Sequence, residues 1–212
     1  MRIVHVIASL GVGGAETLLA EITKRQMVDG HEVHIVTLLD RQDVAIADGI
    51  KVHHLLRKGE RVNAVRLILA IRRAMGLIRP DVVHSHMLHS NLLIRISRSI
   101  CSVPKLVNTV HSAFETDNRF YRLGYRWLER AADVTVFVSE EAMDRYVAER
   151  LTSSRRAAVV RNGIDTSIFC FDMEARNRIR RELSIEEGDF LITAIGRLTK
   201  QKDYPNLLES FA

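Results

Sequence analysis

Cysteine, proline and tryptophan are scarce in this chain: two, three and one among 212 residues, with aromatic side chains at only 6%. Cys101 and Cys170 lie far apart, without the short spacing of metal or redox pairs, so a disulfide scaffold is excluded and a reducing compartment favoured. Three prolines and eleven glycines are too few for a collagen-like or low-complexity chain. No apolar run approaches the roughly 20 residues that cross a bilayer. Met1-Arg2 leads into a short apolar run at 3–7, which runs on into glycines and not into a leader's cleavage site. The expected location is the cytoplasm, free or peripheral on the inner face of the membrane.

What is present suits a globular protein, with 47% hydrophobic and 27% charged residues and length for one full core plus the start of another. A net charge of +5 admits phosphate, nucleic acid or an anionic membrane as partner without choosing among them. Strand-like runs, most of them continuously apolar, recur at 2–9, 32–38, 51–55, 82–86, 106–110, 134–138 and 157–161. That is the composition of parallel strands buried on both faces. Between them, 14–28, 61–78, 91–100, 121–131 and 140–150 carry apolar residues at helical spacing. The pattern predicts an α/β fold with a doubly wound, mostly parallel Rossmann-like sheet over 1–165. After the turn-rich Asn162-Gly163-Ile164-Asp165, a helix at 174–183, a strand at 190–196 and a helix with Asp203 as N-cap and Pro205 in its first turn begin a second unit over 166–212. One strand and two helices cannot bury a doubly wound core, so this second lobe is expected to be incomplete and the chain part of a longer protein.

The stretch Ser9-Leu10-Gly11-Val12-Gly13-Gly14-Ala15-Glu16 follows the first strand and enters the first helix. Free N–H groups and the positive dipole end at such a helix start suit phosphate. A dinucleotide fingerprint fails at its sixth position, where Glu16 stands in place of glycine, although Asp40 is placed as a ribose-binding acid. A phosphate-cradling P-loop fails because no Gly-Lys-Ser/Thr follows. A tight turn without a ligand remains the plain alternative.

Six stretches in order carry a resemblance: Gly13-Gly14-Ala15-Glu16, His84-Ser85-His86, Thr109-Val110-His111, Val138-Ser139-Glu140, Asn162-Gly163-Ile164-Asp165, and Ile195-Gly196-Arg197-Leu198-Thr199-Lys200-Gln201-Lys202. Together they resemble the retaining "group 1" nucleotide-sugar glycosyltransferases with GT-B architecture, along the whole chain. The resemblance implies the N-terminal, acceptor-side lobe plus the start of the donor-binding lobe. It implies a sugar moved with retention from a nucleoside-diphosphate sugar, the co-substrate, to a glycan or lipid-linked acceptor, with no metal or other cofactor. By resemblance, His111 is the catalytic-site histidine against the transferred sugar, and Gly13, Gly14, Arg197 and Lys202 bind the donor diphosphate. Two cations there would meet the charge developing on the leaving group. Asp203 departs from the family pattern, which has glycine after the lysine, and the family's Glu-x₇-Glu element is absent, so the 212-residue chain alone is expected to be inactive.

His84 and His86 share one face of a strand end, as a metal pair would, but no carboxylate or cysteine accompanies them at ligand spacing. With Glu16 they are candidates for the acceptor side. Arg119, Arg122 and Arg126 recur at helical spacing beside Phe120, Tyr121, Tyr125 and Trp127, a stripe suited to an anionic membrane or to a solvated helix face. No nucleic-acid signature appears, and nucleic acid is not an expected partner. The readings that compete with sugar transfer are an NAD(P)-dependent dehydrogenase and a non-catalytic module binding anionic membrane or phosphate.

Overall fold

The computed structural model describes residues 1–113, 115–116 and 118–211. The chain divides into two compact units, Met1–Gly163 and Ile164–Ala212. In the first, the order is β1 (Arg2–Ile7), α1 (Gly14–Val28), β2 (Glu32–Thr37), β3 (Lys51–His54), α2 (Ala64–Ile78), β4 (Val82–His86), α3 (Leu88–Ser97), β5 (Lys105–Val110), α4 (Arg119–Trp127), β6 (Val134–Phe137), α5 (Glu140–Ala148) and β7 (Ala157–Val159). The strands form one seven-stranded sheet in the order β3-β2-β1-β4-β5-β6-β7, and every ladder is parallel.

The apolar strands account for this arrangement, because a parallel strand covered on both faces has no polar side to offer. On one face, Leu67, Ile71, Met75 and Ile78 of α2 and Ile94 of α3 close over Val4, Val6, Val36, Val83 and Leu106. Further along that face, Tyr125 of α4 and Ala142 and Tyr146 of α5 pack with Val110 and Phe137. On the opposite face, Leu19 of α1 packs with Ile7, Leu10 and Ile35.

Local signals set the helix ends. Asn63 caps α2 by accepting the N–H of Arg66 at 3.1 Å, and Ser139 caps α5 by accepting that of Ala142 at 3.2 Å. The C-terminal end of α2 falls at Arg79, in a left-handed conformation directly before Pro80. Several boundaries move, among them the start of α2, at Ala64 and not at 61. α3 starts at Leu88 and not at 91, because Met87, at φ 68°, turns the chain straight from β4 into the helix. α4 starts at Arg119 and ends at Trp127, and a 3-10 turn at Glu129–Ala131 follows it.

The second unit contains α6 (Met173–Glu182) and α7 (Tyr204–Phe211). One expectation fails there. The apolar stretch 190–196 is not a strand: no other strand lies among the described residues of this unit, and an extended segment without a ladder partner leaves its N–H and C=O groups unpaired. Asp203 stands directly before α7, as expected of its N-cap, but not in an N-cap's extended conformation. It sits at φ 47°, ψ 44°, ending a 3-10 turn at Lys200–Lys202, and its carbonyl accepts the N–H of Leu207.

Candidate active site

Open parallel sheets bind ligands outside the carboxyl ends of the strands, where the strand order reverses. Here the reversal falls at β1, since the chain runs outward through β2 and β3 and then returns to place β4 on the other side of β1. The loop after β1 and the segments after β4 and β5 leave this carboxyl edge together. They carry Gly11, Gly13 and Gly14; Met87 and His89; and His111.

Gly13 is the N-cap position of α1 and provides no side-chain bond to its free N–H groups. Neither Gly13 nor Gly14 adopts a positive φ. A Cβ on Gly14 would meet nothing within 4 Å, whereas one on Gly13 would run into the carboxylate end of Glu16, which folds back over it. The fold itself therefore does not require glycine at 14. Gly14→Val is expected to leave the melting temperature within a few degrees of wild type; if a ligand lies against the loop, binding and turnover fall by an order of magnitude or more. An early-melting variant with normal binding would make the loop a structural turn.

A line of histidines runs beneath this edge. His5 on β1 stands in register with His84 on β4, and His86 and Thr109 are partners on β4 and β5. Gln26 Oε1 on α1 meets His5 Nε2 at 2.7 Å, His5 Nδ1 meets His86 Nε2 at 3.0 Å, and His86 Nδ1 meets His111 Nε2 at 3.2 Å. His84 Nε2 is bonded at 2.7 Å to the Thr109 hydroxyl. Burial lowers the pKa of His5 and of His111 from 6.5 to about 4, and holds those of His84 and His86 well below the usual value. All four rings are neutral at pH 7. One ring nitrogen each from His5, His84 and His86 lies within 4.8 Å of the others, a spacing that imidazoles around a metal ion also show, but here the His5 and His86 nitrogens are joined by their own hydrogen bond.

Glu115 closes the segment after β5. Its Oε1 accepts the N–H of His111 at 2.7 Å, and burial raises its pKa from 4.5 to about 7 against the opposing backbone bonds. A carboxyl that titrates near neutrality beside a strand-end histidine can give or take a proton at working pH.

The predicted site residues fall into separate groups. His111, His86 and His84 come together, and the Gly13–Gly14 loop shares their edge of the sheet. His86 is only 1% exposed with both ring nitrogens engaged, which makes it an internal link and leaves no nitrogen for an acceptor. Arg197 and Lys202 belong to the second unit, where neither forms an ion pair among the described residues. The arginine stripe is divided: Arg122 pairs with Glu149 at 3.1 Å and Arg126 donates to the Glu149 carbonyl at 3.0 Å, while Arg119 lies over the Phe120 ring. Tyr125 is buried, but Phe120, Leu123 and Trp127 are exposed. His5, Gln26 and Glu115 escaped sequence reasoning. Only His5 left a trace, as a polar residue inside an otherwise apolar strand.

The seven-stranded parallel sheet with helices on both faces is the Rossmann-like lobe of the GT-B glycosyltransferases. Residues 12–168 match the family model Glycosyltransferase Family 4, and the chain belongs to that family. It is 27% identical over 155 residues to the UDP-Gal:alpha-D-GlcNAc-diphosphoundecaprenol alpha-1,3-galactosyltransferase of Escherichia coli, covering 70% of this chain and 40% of that protein. Anabaena HepE, solved in complex with UDP-glucose, superposes with a TM-score of 0.77 at 16% identity, over 100% of this chain and 57% of that one. WaaG, a glycosyltransferase involved in lipopolysaccharide biosynthesis, superposes with a TM-score of 0.70 at 13% identity, over 98% and 58%. The chain thus spans about half the length of the proteins it matches. Among the described residues no helix is long and apolar enough to cross a membrane.

Proposed function

We propose that this chain supplies the acceptor-side lobe of a retaining glycosyltransferase, which moves a sugar from a nucleoside-diphosphate sugar to a lipid-linked glycan. The observation that carries the reading is the juxtaposition at the switch point of the sheet: an uncapped helix start with accessible glycine backbone and a neutral histidine on one edge. Family membership, the UDP-glucose held by HepE and the diphosphoundecaprenol acceptor in the name of the Escherichia coli relative support it.

In this reading His111 faces the transferred sugar, and Gly14 lets the donor diphosphate approach the N–H groups of α1. The Glu16 carboxylate, folded over Gly13, accepts hydrogen bonds from acceptor hydroxyls. Glu16 also counts against a dehydrogenase, because it stands where the dinucleotide fingerprint needs its last glycine. Arg197 and Lys202 would neutralise the leaving diphosphate, so that no resident cofactor is called for. The test is incubation of the protein, expressed from its natural gene, with a panel of nucleotide sugars and a polyprenyl-diphosphate N-acetylglucosamine. Release of nucleoside diphosphate that depends on the acceptor and falls at least tenfold in His111→Ala supports the proposal. Acceptor-independent release, or unchanged turnover in His111→Ala, overturns it.

A second reading concerns the membrane. Phe120, Leu123 and Trp127 form an exposed apolar face on α4, with Arg119 and Arg130 beside it, as an interfacial helix would. Because Glu149 holds Arg122 and Arg126, the apolar residues would carry the contact. Sedimentation with vesicles containing anionic lipid is expected to fall several-fold in the double variant Phe120→Ala, Trp127→Ala, and to weaken only modestly with salt. Sedimentation of the double variant equal to wild type would return α4 to the role of a solvated helix.

A further inference from the structure

We infer that Gln26, on α1, sets the tautomer of His111 through the hydrogen-bonded line His5–His86, so that His111 presents Nδ1 as a hydrogen-bond acceptor at the sheet edge. The inference rests on the proposed role of His111 for its meaning, but not for its test. Each link follows from the one before. Gln26 Oε1 can only accept, so the 2.7 Å contact places the proton of His5 on Nε2. A neutral imidazole carries one N–H, which leaves His5 Nδ1 bare. The 3.0 Å contact from that bare nitrogen then requires the proton of His86 on Nε2. His86 Nδ1 is bare in turn, and its 3.2 Å contact requires the proton of His111 on Nε2. Among the described residues nothing meets His111 Nδ1, so the line ends on an open lone pair.

The geometry keeps the line intact. His5 and His86 are 0% and 1% exposed, so water does not offer either ring an alternative partner. His84 lies on the same face, with its Nε2 taken by Thr109, and stays outside the line. Strand pairing holds the rings: β1 is laddered to β4 and β4 to β5, with His86 opposite Thr109, two residues before His111. An acceptor nitrogen at the edge receives a bond from a hydroxyl, such as that of a sugar, and has nothing to give a phosphate oxygen. Were the line reversed, His111 would carry an Nδ1–H and prefer the phosphate. A glutamine on α1, two rings away from His111, thus acts as a positioning residue that selects which ligand atom His111 can bind.

Long-range proton–nitrogen correlation spectra of the ¹⁵N-labelled 212-residue chain at pH 7.5 report which nitrogen of each histidine is protonated, without donor or acceptor present. In the wild type, His5, His86 and His111 are expected to be Nε2–H. Gln26→Glu, which only accepts, should keep this pattern. Gln26→Lys, which only donates, should convert all three to Nδ1–H, and Gln26→Leu should leave His111 exchanging between the two forms. An Nδ1–H His111 in the wild type, or an Nε2–H His111 unaltered in folded Gln26→Lys and Gln26→Leu, would overturn the inference. The wild-type spectrum alone can do so if a variant fails to fold. Absence of sugar transfer would leave these spectra unaffected, which keeps the two proposals separable.

Discussion

Acidification from pH 7 to pH 4 is expected to destabilise the first unit strongly, with the loss setting in below pH 6.5. The sign follows from the buried histidines, whose folded-state pKa values lie below the 6.5 of the unfolded chain. Such groups contribute stability that is present above 6.5 and is lost as pH falls toward their folded values. His5 and His111 each drop to about 4, and at about 1.4 kcal/mol per pH unit each contributes about 3 kcal/mol across that window. His84 and His86 act in the same direction, and burial is the first cause in all four. Glu115 works the other way. Its pKa is raised from 4.5 to about 7, so its contribution is full below 4.5 and lost as pH rises through 7, returning about 3 kcal/mol on acidification. Set against Glu115, His5 and His111 leave a net loss of about 3 kcal/mol, to which His84 and His86 add in the same direction, a large share of the about 5–15 kcal/mol of a typical domain. Urea unfolding followed by circular dichroism at pH 7, 6, 5 and 4 measures it. A midpoint that stays level or rises down to pH 4.5 would show that the rings are not buried neutral.

Arg95→Ala is expected to destabilise the first unit by about 3–5 kcal/mol, while Arg95→Met costs less than half as much. Arg95 is 1% exposed on α3, yet no carboxylate pairs with it among the described residues. Its Nε donates to Asn108 Oδ1 at 2.6 Å, one Nη to Thr135 Oγ1 at 3.0 Å, and its guanidinium lies 4.5 Å from the centre of the Tyr125 ring. It therefore ties α3 to β5, β6 and α4. Alanine would leave both acceptors unpaired and a cavity the length of the side chain, two costs that add. Methionine fills the stem and removes a charge whose desolvation already lowers its pKa, so the lost bonds are partly offset. Asn91 stiffens the same layer, accepting from the Ser85 hydroxyl at 2.6 Å and donating to Tyr125 at 3.0 Å. Thermal melts of the two variants at pH 7.5 decide the matter, and equal losses would locate the stability in the charge itself.

The sequence by itself determined the alternation of strands and helices, because short, mostly apolar runs set between stretches of helical spacing suit strands covered on both faces. The start of α5 at Glu140 was legible too, whereas helical spacing alone ran α2 back to 61 and the cap at Asn63 starts it at Ala64. The glycine loop and His111 were legible as strand-end residues. Where a reading needed partners distant in sequence, it failed or fell short. The stretch 190–196 has strand composition but no neighbour to pair with, and Arg122 and Arg126 look free until Glu149 is brought beside them. The histidine line lay beyond sequence reasoning altogether. Its members are separated by 21, 81 and 25 residues, and only the parallel pairing of β1, β4 and β5, with α1 laid across the sheet, puts their rings in contact. Tertiary structure alone decided which histidines are neutral, since desolvation depends on everything packed around a ring and not on its neighbours in the chain.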